Sequence, residues 1–294
     1  MNFLFVDQIL SYEQGKGIRG VKNVTALDTY LTSGIDGKPV LSSCIVGEAI
    51  GQLCSWYIIK STNATVRSVA GIVSEVNIYD QAYLGDTVEL CVTVDDLDDQ
   101  AVNWHGEAKV RGKTILVVES AVGPCLPMQD FNDPEEVKRQ LHMIDRPQEM
   151  PAYIECQAFD SSAVRYYPEL TQFDNILSWE TGKQVVAQKK VTLIAPYFID
   201  HFPRKPVLPL TIFLECQFNL ARQFLADGFG KETLTTYLPS KVYDIKMKDF
   251  IMPGQVITTT MVLKQQTENS FTFHFKSLCE DKVVCIAKAD FVRI

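Results

Sequence analysis

The chain carries one long segment twice, and this duplication constrains its fold more than any other feature. Residues 7–53 align without a gap to residues 174–220, at an offset of 167 residues, with 18 identities in 47 positions. Chance would give roughly three identities at average amino-acid usage. The period is far longer than the ~20–50 residues of solenoid repeats. The sequence therefore predicts one domain that occurs twice, at residues 1–126 and 152–294, joined by a linker at 127–151.

Both copies show the same order of predicted elements. A strand pair around a Gly-Lys turn comes first, and an irregular stretch that ends in Lys-Pro-Val-Leu follows it. Next comes a helix that is hydrophobic nearly all round, at Ser43 to about Lys60 and at Leu210 to about Ala226. Ser42 or Ser43 is expected to cap the first helix, and Asp227-Gly228 marks the end of the second. Three or so alternating strands complete each copy, which predicts an α+β fold with an antiparallel sheet around a buried helix.

The linker contains a predicted short helix. Asp133 is suited to the N-cap, Pro134 to the first helical position, and Glu135 and Glu136 to the first turn.

Composition excludes several classes of protein. With 294 residues, 46% of them hydrophobic, the chain is long enough for about two domains with cores of their own. A net charge of −8 argues against general nucleic-acid binding, which needs a basic surface. No apolar run approaches the ~18 residues of a membrane span, and the start of the chain has no cationic leader. The eight cysteines show no CxxC spacing, so we expect no metal site and a reducing, cytoplasmic environment.

The most specific motif lies at residues 196–215. It reads PYFIDHFPRKPVLPLTIFLE. This segment resembles the active site of bacterial β-hydroxyacyl-acyl-carrier-protein dehydratases of the FabZ/FabA type, whose pattern is PFF-x-x-HFP-x-x-PV(M/L)PG followed by a helix with a Glu. His201 matches the histidine of the family and Glu215 its acid. The resemblance implies the family's hot-dog fold, here as two tandem hot-dog domains that form a pseudo-dimer.

The first copy lacks the histidine of the motif. Gly34 stands at the position of His201, whereas Glu48 is retained at the position of Glu215. In the resembling enzymes, each site at the dimer interface takes its histidine from one subunit and its acid from the other. The resemblance therefore implies one composite site with His201 and Glu48, and one vestigial site with Gly34 and Glu215.

The residue types at the composite site suit a dehydration. A neutral imidazole with an ordinary pKa near ~6.5 can remove the weakly acidic C2 proton of a 3-hydroxyacyl thioester, which makes His201 the candidate base. Glu48, surrounded by apolar helix residues, is the candidate acid that protonates the leaving hydroxyl. The free N–H groups of Leu210 and Thr211, at the start of the second helix, are the candidate donors to the enolate oxygen.

Substrate and partner follow from the same resemblance. Phe202 flanks the motif, and Arg204 and Lys205 are candidates to bind a phosphopantetheine arm or an acidic carrier protein, with solvated surface charge as the alternative. The expected partner is an acyl carrier protein or an acyl-CoA thioester, with no metal or redox cofactor. A hot-dog thioesterase and a non-catalytic scaffold for a carrier protein or synthase remain alternatives, since fold alone does not determine function. The double hot-dog could stand alone or pair again as a homodimer.

Overall fold

The first half of the chain folds as antiparallel strands around one long helix. The structure, a computed structural model, describes residues 3–150 and 164–294, so the predicted boundary at 151–152 lies outside the described residues. The strands of this half are β1 (Gln8–Glu13), β2 (Gly17–Asn23), β3 (Leu31–Ser33), β4 (Pro39–Leu41), β5 (Val66–Ser68), β6 (Ile72–Ile78), β7 (Ala82–Tyr83), β8 (Thr87–Leu97), β9 (Ala101–Val110) and β10 (Lys113–Pro127), and its helix is α1 (Ser43–Ser61).

The second half repeats this arrangement after helix α2 (Pro134–Ile144) of the linker. Its elements are β11 (Asn175–Glu180), β12 (Gln184–Lys190), α3 (Leu210–Phe229), α4 (Thr233–Thr236), β13 (Tyr237–Met247), β14 (Val256–Gln266), β15 (Ser270–Cys279) and β16 (Lys282–Arg293). The predicted linker helix is present, with the Asp133 carboxylate accepting a hydrogen bond from the N–H of Glu135 at 3.0 Å. No helix in the described parts of the chain is long and apolar enough to cross a membrane.

The two halves share one large sheet. Among the described residues its strand order is β1-β2-β8-β9-β10-β6-β13-β16-β15-β14-β12-β11, with β5 attached to β10. The halves meet where β6 pairs antiparallel with β13, so that Val76 lies opposite Val242. Strands β6 and β13 add one strand to each predicted half. Because they pair with each other, the sheet continues from one half of the pseudo-dimer into the other. The predicted α+β fold, two tandem hot-dog domains, is confirmed.

Helices α1 and α3 are buried by the sheet that wraps around them. Each packs apolar side chains on most sides, such as the fully buried Ile50 and Phe218, and the two helices also contact each other. The end predicted for α3 is wrong by a few residues. The helix passes through Gly228 and stops at Gly230, whose φ of 100° is a left-handed conformation that glycine adopts at little cost.

The segments before the two helices differ. In the first half, β3, β4 and β7 form a small separate sheet, and Gly37, with φ 77°, completes the β3–β4 turn. In the second half, the same stretch is a 3₁₀ turn at Pro196–Ile199 followed by a loop. Pro209 stands at the position of Ser42, whose N–H donates to the Tyr30 carbonyl in the first half, so this backbone bond cannot form in the loop that presents His201. Pro203 and Pro206 also lie in this loop.

Candidate active site

The loop before α3 fixes His201 in one orientation. The N–H of His201 donates to the Tyr197 carbonyl at 2.9 Å, and its carbonyl accepts from the N–H of Val207 at 3.1 Å. Its ring atom Nδ1 lies 2.9 Å from the Val207 carbonyl oxygen. Since a carbonyl only accepts hydrogen bonds, Nδ1 carries the proton and Nε2 holds the free lone pair. The atom available as a base is therefore Nε2.

Apolar surroundings favour the neutral imidazole. The His201 ring stacks on Phe202 with 4.0 Å between centroids, and the edge of Phe3 lies against it at 5.6 Å. Burial lowers the pKa of His201 below its ordinary value of 6.5, because desolvation disfavours the charged form. The nearby Glu48 carboxylate opposes this shift, and Arg67 adds to it. At neutral pH the ring is in the form that accepts a proton.

Glu48 lies on α1 and meets the start of α3. Its Oε2 accepts a hydrogen bond of 2.7 Å from the Thr211 hydroxyl, and its Oε1 accepts one of 2.9 Å from Gln52 Nε2. Thr211 belongs to the second copy and Glu48 to the first. The structure thus brings the acid of copy one and the helix start of copy two into direct contact.

Residues 3–5, here called the N-terminal strap, bind the two copies together beside His201. The N–H of Phe3 donates to the Asp200 carboxylate at 2.7 Å, and the Phe3 carbonyl accepts from Gln52 Nε2 at 3.1 Å. The N–H of Phe5 donates to Gln52 Oε1 at 2.9 Å. Gln52 therefore holds both the strap and Glu48, while Asp200, the residue before His201, connects the strap to the second copy.

One cavity of about 350 Å³ contains the predicted site residues His201, Glu48, Phe202, Leu210 and Thr211. Strands at the junction of the two halves form its apolar wall, which includes Val76, Val118, Ala121, Val242, Ile245 and Met247. The linker and its neighbours form its polar wall, which includes Arg67, Asn132, Asp133, Glu136, Gln140 and Arg204.

The start of α3 faces this cavity. The helix begins at Leu210 after Pro209, and Leu210 and Thr211 both line the space. The first N–H groups of a helix have no partner within the helix, and the helix dipole makes them partly positive. The predicted donors to an oxyanion therefore lie beside the imidazole and the carboxyl group.

Arg204 and Lys205 both contact the linker. Arg204 Nη1 donates to the Gln129 carbonyl at 3.1 Å, and its guanidinium lies 3.7 Å from the Asp133 carboxylate. The Lys205 ammonium lies over the Phe131 ring at 5.1 Å and over the Phe250 ring at 4.3 Å, and it does not line the cavity. A role of these cations in binding a carrier stays a prediction.

The second predicted pair, Gly34 and Glu215, does not form a site that matches the one with His201 and Glu48. Glu215 has a side chain only 6% exposed, and both its oxygens are occupied. Ser42 Oγ donates to Oε2 at 2.6 Å, and Arg222 Nη1 donates to Oε1 at 2.9 Å. The prediction that Ser42 or Ser43 caps α1 is therefore wrong for the side chain, because the Ser42 hydroxyl binds Glu215 instead. Gly34 is buried in the β3–β4 turn, where its N–H donates to the Lys38 carbonyl at 2.7 Å.

Restoring the histidine at Gly34 is expected to yield no second site. A Cβ atom there would lie 2.9 Å from Val40 Cγ1 and 3.0 Å from the Lys38 carbonyl oxygen, so the turn would have to shift. We expect Gly34→His to lower the free energy of unfolding by about 1–3 kcal/mol. In a His201→Ala background it should restore no activity. Chemical denaturation and an activity assay of the double variant check this, and recovered turnover would contradict it.

Several residues at the cavity were not predicted as side-chain participants. Four of these groups lie outside the histidine and acid positions of the motif: the Thr211 hydroxyl, Arg67, Asn132 and Asp200. Their partners are 65 to 197 residues away in sequence, so local spacing gives no signal for them.

Comparison with known proteins assigns the chain to a family. The profile of the FabA-like domain matches residues 1–119 and 166–288. The chain is 31% identical over 127 residues to the 3-hydroxyacyl-[acyl-carrier-protein] dehydratase FabZ of Polaromonas naphthalenivorans, covering 42% of this chain and 85% of that protein. It is 26% identical over 122 residues to FabZ of Rickettsia massiliae, covering 42% and 83%. The protein belongs to the FabA-like domain family, and both of its halves contribute to the match.

Solved structures share the fold of the whole chain. The dehydratase domain of RzxB from Pseudomonas fluorescens aligns with a TM-score of 0.56 at 12% identity, covering 97% of each chain. The dehydratase domain of PpsC from Mycobacterium tuberculosis aligns at 0.55 with 10% identity and full coverage of both chains. An acyl-ACP thioesterase from Bacteroides thetaiotaomicron aligns at 0.53 with 12% identity, covering 93% of this chain and 97% of the other. At these identities the similarity concerns the fold alone.

Proposed function

We propose that this protein removes water from a 3-hydroxyacyl thioester and releases the trans-2-enoyl thioester. The observation that carries the proposal is the position of His201 and Glu48, from different copies, on one cavity whose apolar wall suits an acyl chain. The FabZ relatives, which are dehydratases of acyl-carrier-protein substrates, support the same reaction.

Each group has one task in this mechanism. His201 Nε2 removes a proton from C2, and the N–H groups of Leu210 and Thr211 stabilise the charge that develops on the thioester oxygen. The electron pair of the broken C2–H bond forms the double bond as the C3–O bond breaks. Glu48 gives its proton to the departing hydroxyl, which leaves as water. The imidazolium and the carboxylate then exchange one proton, which restores both groups.

Proton transfer balances this reaction, so the proposal requires no redox or metal cofactor. The substrate itself brings a phosphopantetheine arm, attached to an acyl carrier protein or to coenzyme A. Arg204 and Lys205, on the same side as the linker, are the proposed contacts for that arm or its carrier.

The proposal is tested by following the mass of the acyl group on a carrier protein. The protein is incubated with a 3-hydroxybutyryl and with a 3-hydroxyoctanoyl thioester. We expect at least one of the two to lose one water. Release of the free acid would indicate a thioesterase instead. Binding of the carrier without any change of mass would favour the scaffold, and either result would overturn the proposed reaction.

The pH dependence of the reaction should reflect the buried imidazole. The base acts in its neutral form, and the pKa of His201 lies below 6.5. The acid limb of the kcat/KM profile should therefore be centred below pH 6.5. A rate profile from pH 5 to 8 measures this. An acid limb centred above pH 6.5 would contradict the assignment of His201 as the base.

A further inference from the structure

Arg67 is a cation on the polar wall of the cavity. It lies on β5, and its guanidinium carbon sits 3.9 Å from the centre of the Phe202 ring. Its Nη1 donates a hydrogen bond to the side chain of Asn132, a buried residue of the linker. Both partners belong to segments that frame the cavity, so the guanidinium is held in place beside the residue that follows His201.

The charge of Arg67 is incompletely compensated. Its Nε–H is buried and has no hydrogen-bond partner, and within residues 3–150 and 164–294 no carboxylate forms an ion pair with it. Burial lowers the pKa of Arg67 to about 9, with Glu48 favouring the charged form from a distance. A buried donor without an acceptor is costly. The Arg67 side chain as a whole is half-buried and lines the cavity, so the accessible part of its guanidinium can meet an acceptor on a ligand.

The position of Arg67 limits which atom of a substrate it can reach. The Phe202 ring lies 4.0 Å from the His201 ring and 3.9 Å from the Arg67 guanidinium. The distance from imidazole to guanidinium is therefore no more than the sum of these two values. In an extended pantetheine arm, the first amide carbonyl lies roughly 7 Å from the thioester carbon by ordinary bond lengths. The phosphate lies much farther along the arm, beyond the reach of Arg67.

We propose that Arg67 binds the amide carbonyl oxygen next to the sulfur of the thioester substrate, and so selects pantetheine thioesters. This inference rests on the proposed function, since it takes the thioester carbon to lie beside His201. The lining residues from the junction strands are apolar and suit the acyl chain, which leaves the polar lining around Arg67 for the arm. The planar guanidinium, held against Phe202 and bonded to Asn132, is preorganised for this contact.

The test compares two small substrates that differ in the amide alone. One is the 3-hydroxyoctanoyl thioester of N-acetylcysteamine, and the other is the S-pentyl thioester, which has the same length and no amide. The wild-type protein should prefer the first by about tenfold in kcat/KM, as expected for a hydrogen bond from a charged donor. Arg67→Met should remove this preference, while Lys248→Met, which removes an exposed cation beside cavity residue Met247, should keep it.

A binding measurement keeps the inference testable apart from the reaction. Two unreactive thioethers, S-octyl-N-acetylcysteamine and octyl pentyl sulfide, are titrated by calorimetry against the wild-type protein and the same variants. If neither thioester is dehydrated but the thioether preference depends on Arg67, the proposed reaction fails and the arm contact stands. The inference is overturned if Arg67→Met lowers the binding or turnover of both compounds of each pair equally. It is also overturned if the wild-type protein shows no preference for the compound with the amide.

Discussion

Replacing His201 by alanine is expected to lower the rate of dehydration by about 10³-fold, within the range that general-base catalysis contributes. The loss should appear in kcat, since Nε2 acts on the C2 proton. It follows from the hydrogen bond of 2.9 Å between Nδ1 and the Val207 carbonyl, which leaves Nε2 as the free base of this ring. Steady-state kinetics with a carrier-bound 3-hydroxyacyl thioester provide the measurement.

A second variant separates loss of the base from loss of the loop. His201→Gln retains an amide that can donate to the Val207 carbonyl but contains no base. It should unfold at nearly the wild-type temperature and still lose activity. If either variant keeps more than a third of the wild-type rate, His201 is not the base.

Replacing Glu48 by glutamine is expected to lower the dehydration rate by a similar factor of about 10²–10⁴. The amide oxygen of glutamine can still accept the hydrogen bond of 2.7 Å from Thr211, whereas the acidic proton and the bond from Gln52 Nε2 are lost. The effect should again fall on kcat, because the proton is transferred as the C3–O bond breaks. Product formation followed by mass is the measurement.

Glu215→Gln is the matched control for this prediction. Glu215 occupies the equivalent position in the second copy, but Ser42 and Arg222 hold both of its oxygens. The variant should keep activity within about threefold of the wild type and should lose stability instead, because a buried ion pair is broken. A loss in Glu215→Gln equal to that in Glu48→Gln would show that the two halves are not specialised.

The sequence predicts much of the fold because the same order of elements occurs in both copies. The offset of 167 residues, the two apolar helices and the unequal histidines together indicate a pseudo-dimer with one composite site. Strands β6 and β13 are not among the predicted strands, because apolar and polar residues do not alternate cleanly in their sequences. Each of them finds its partner strand in the other half, which neither copy reveals alone.

The contacts around the site are beyond prediction from spacing. The sequence predicts Thr211 as a backbone donor only, yet its hydroxyl bonds Glu48 across 163 residues of sequence. Ser42 was expected to cap α1, yet the facing acid Glu215 attracts its hydroxyl. In both cases the partner lies on the opposite helix, so the choice of partner depends on how the halves dock.

The same docking favours the predicted composite site at one of the two equivalent positions. The N-terminal strap and the linker each add residues to the cavity that holds His201, through Phe3 and Asn132. At the other position, the turn at Gly34 leaves no room for a larger side chain, and Arg222 neutralises the acid. The local structure at this position therefore disfavours a second site for more reasons than the absence of a histidine.

The central claim is that His201 of the second copy and Glu48 of the first act at one site, and an NMR titration of the imidazole tests it most directly. The His201 signal is assigned by its absence in His201→Ala. In the proposed site the two groups hold one exchangeable proton between them, and an ionised Glu48 raises the pKa of His201, so Glu48→Gln should lower that pKa, while Glu215→Gln should leave it unchanged. An unaltered His201 pKa in Glu48→Gln, or an equal fall in Glu215→Gln, would contradict the composite site.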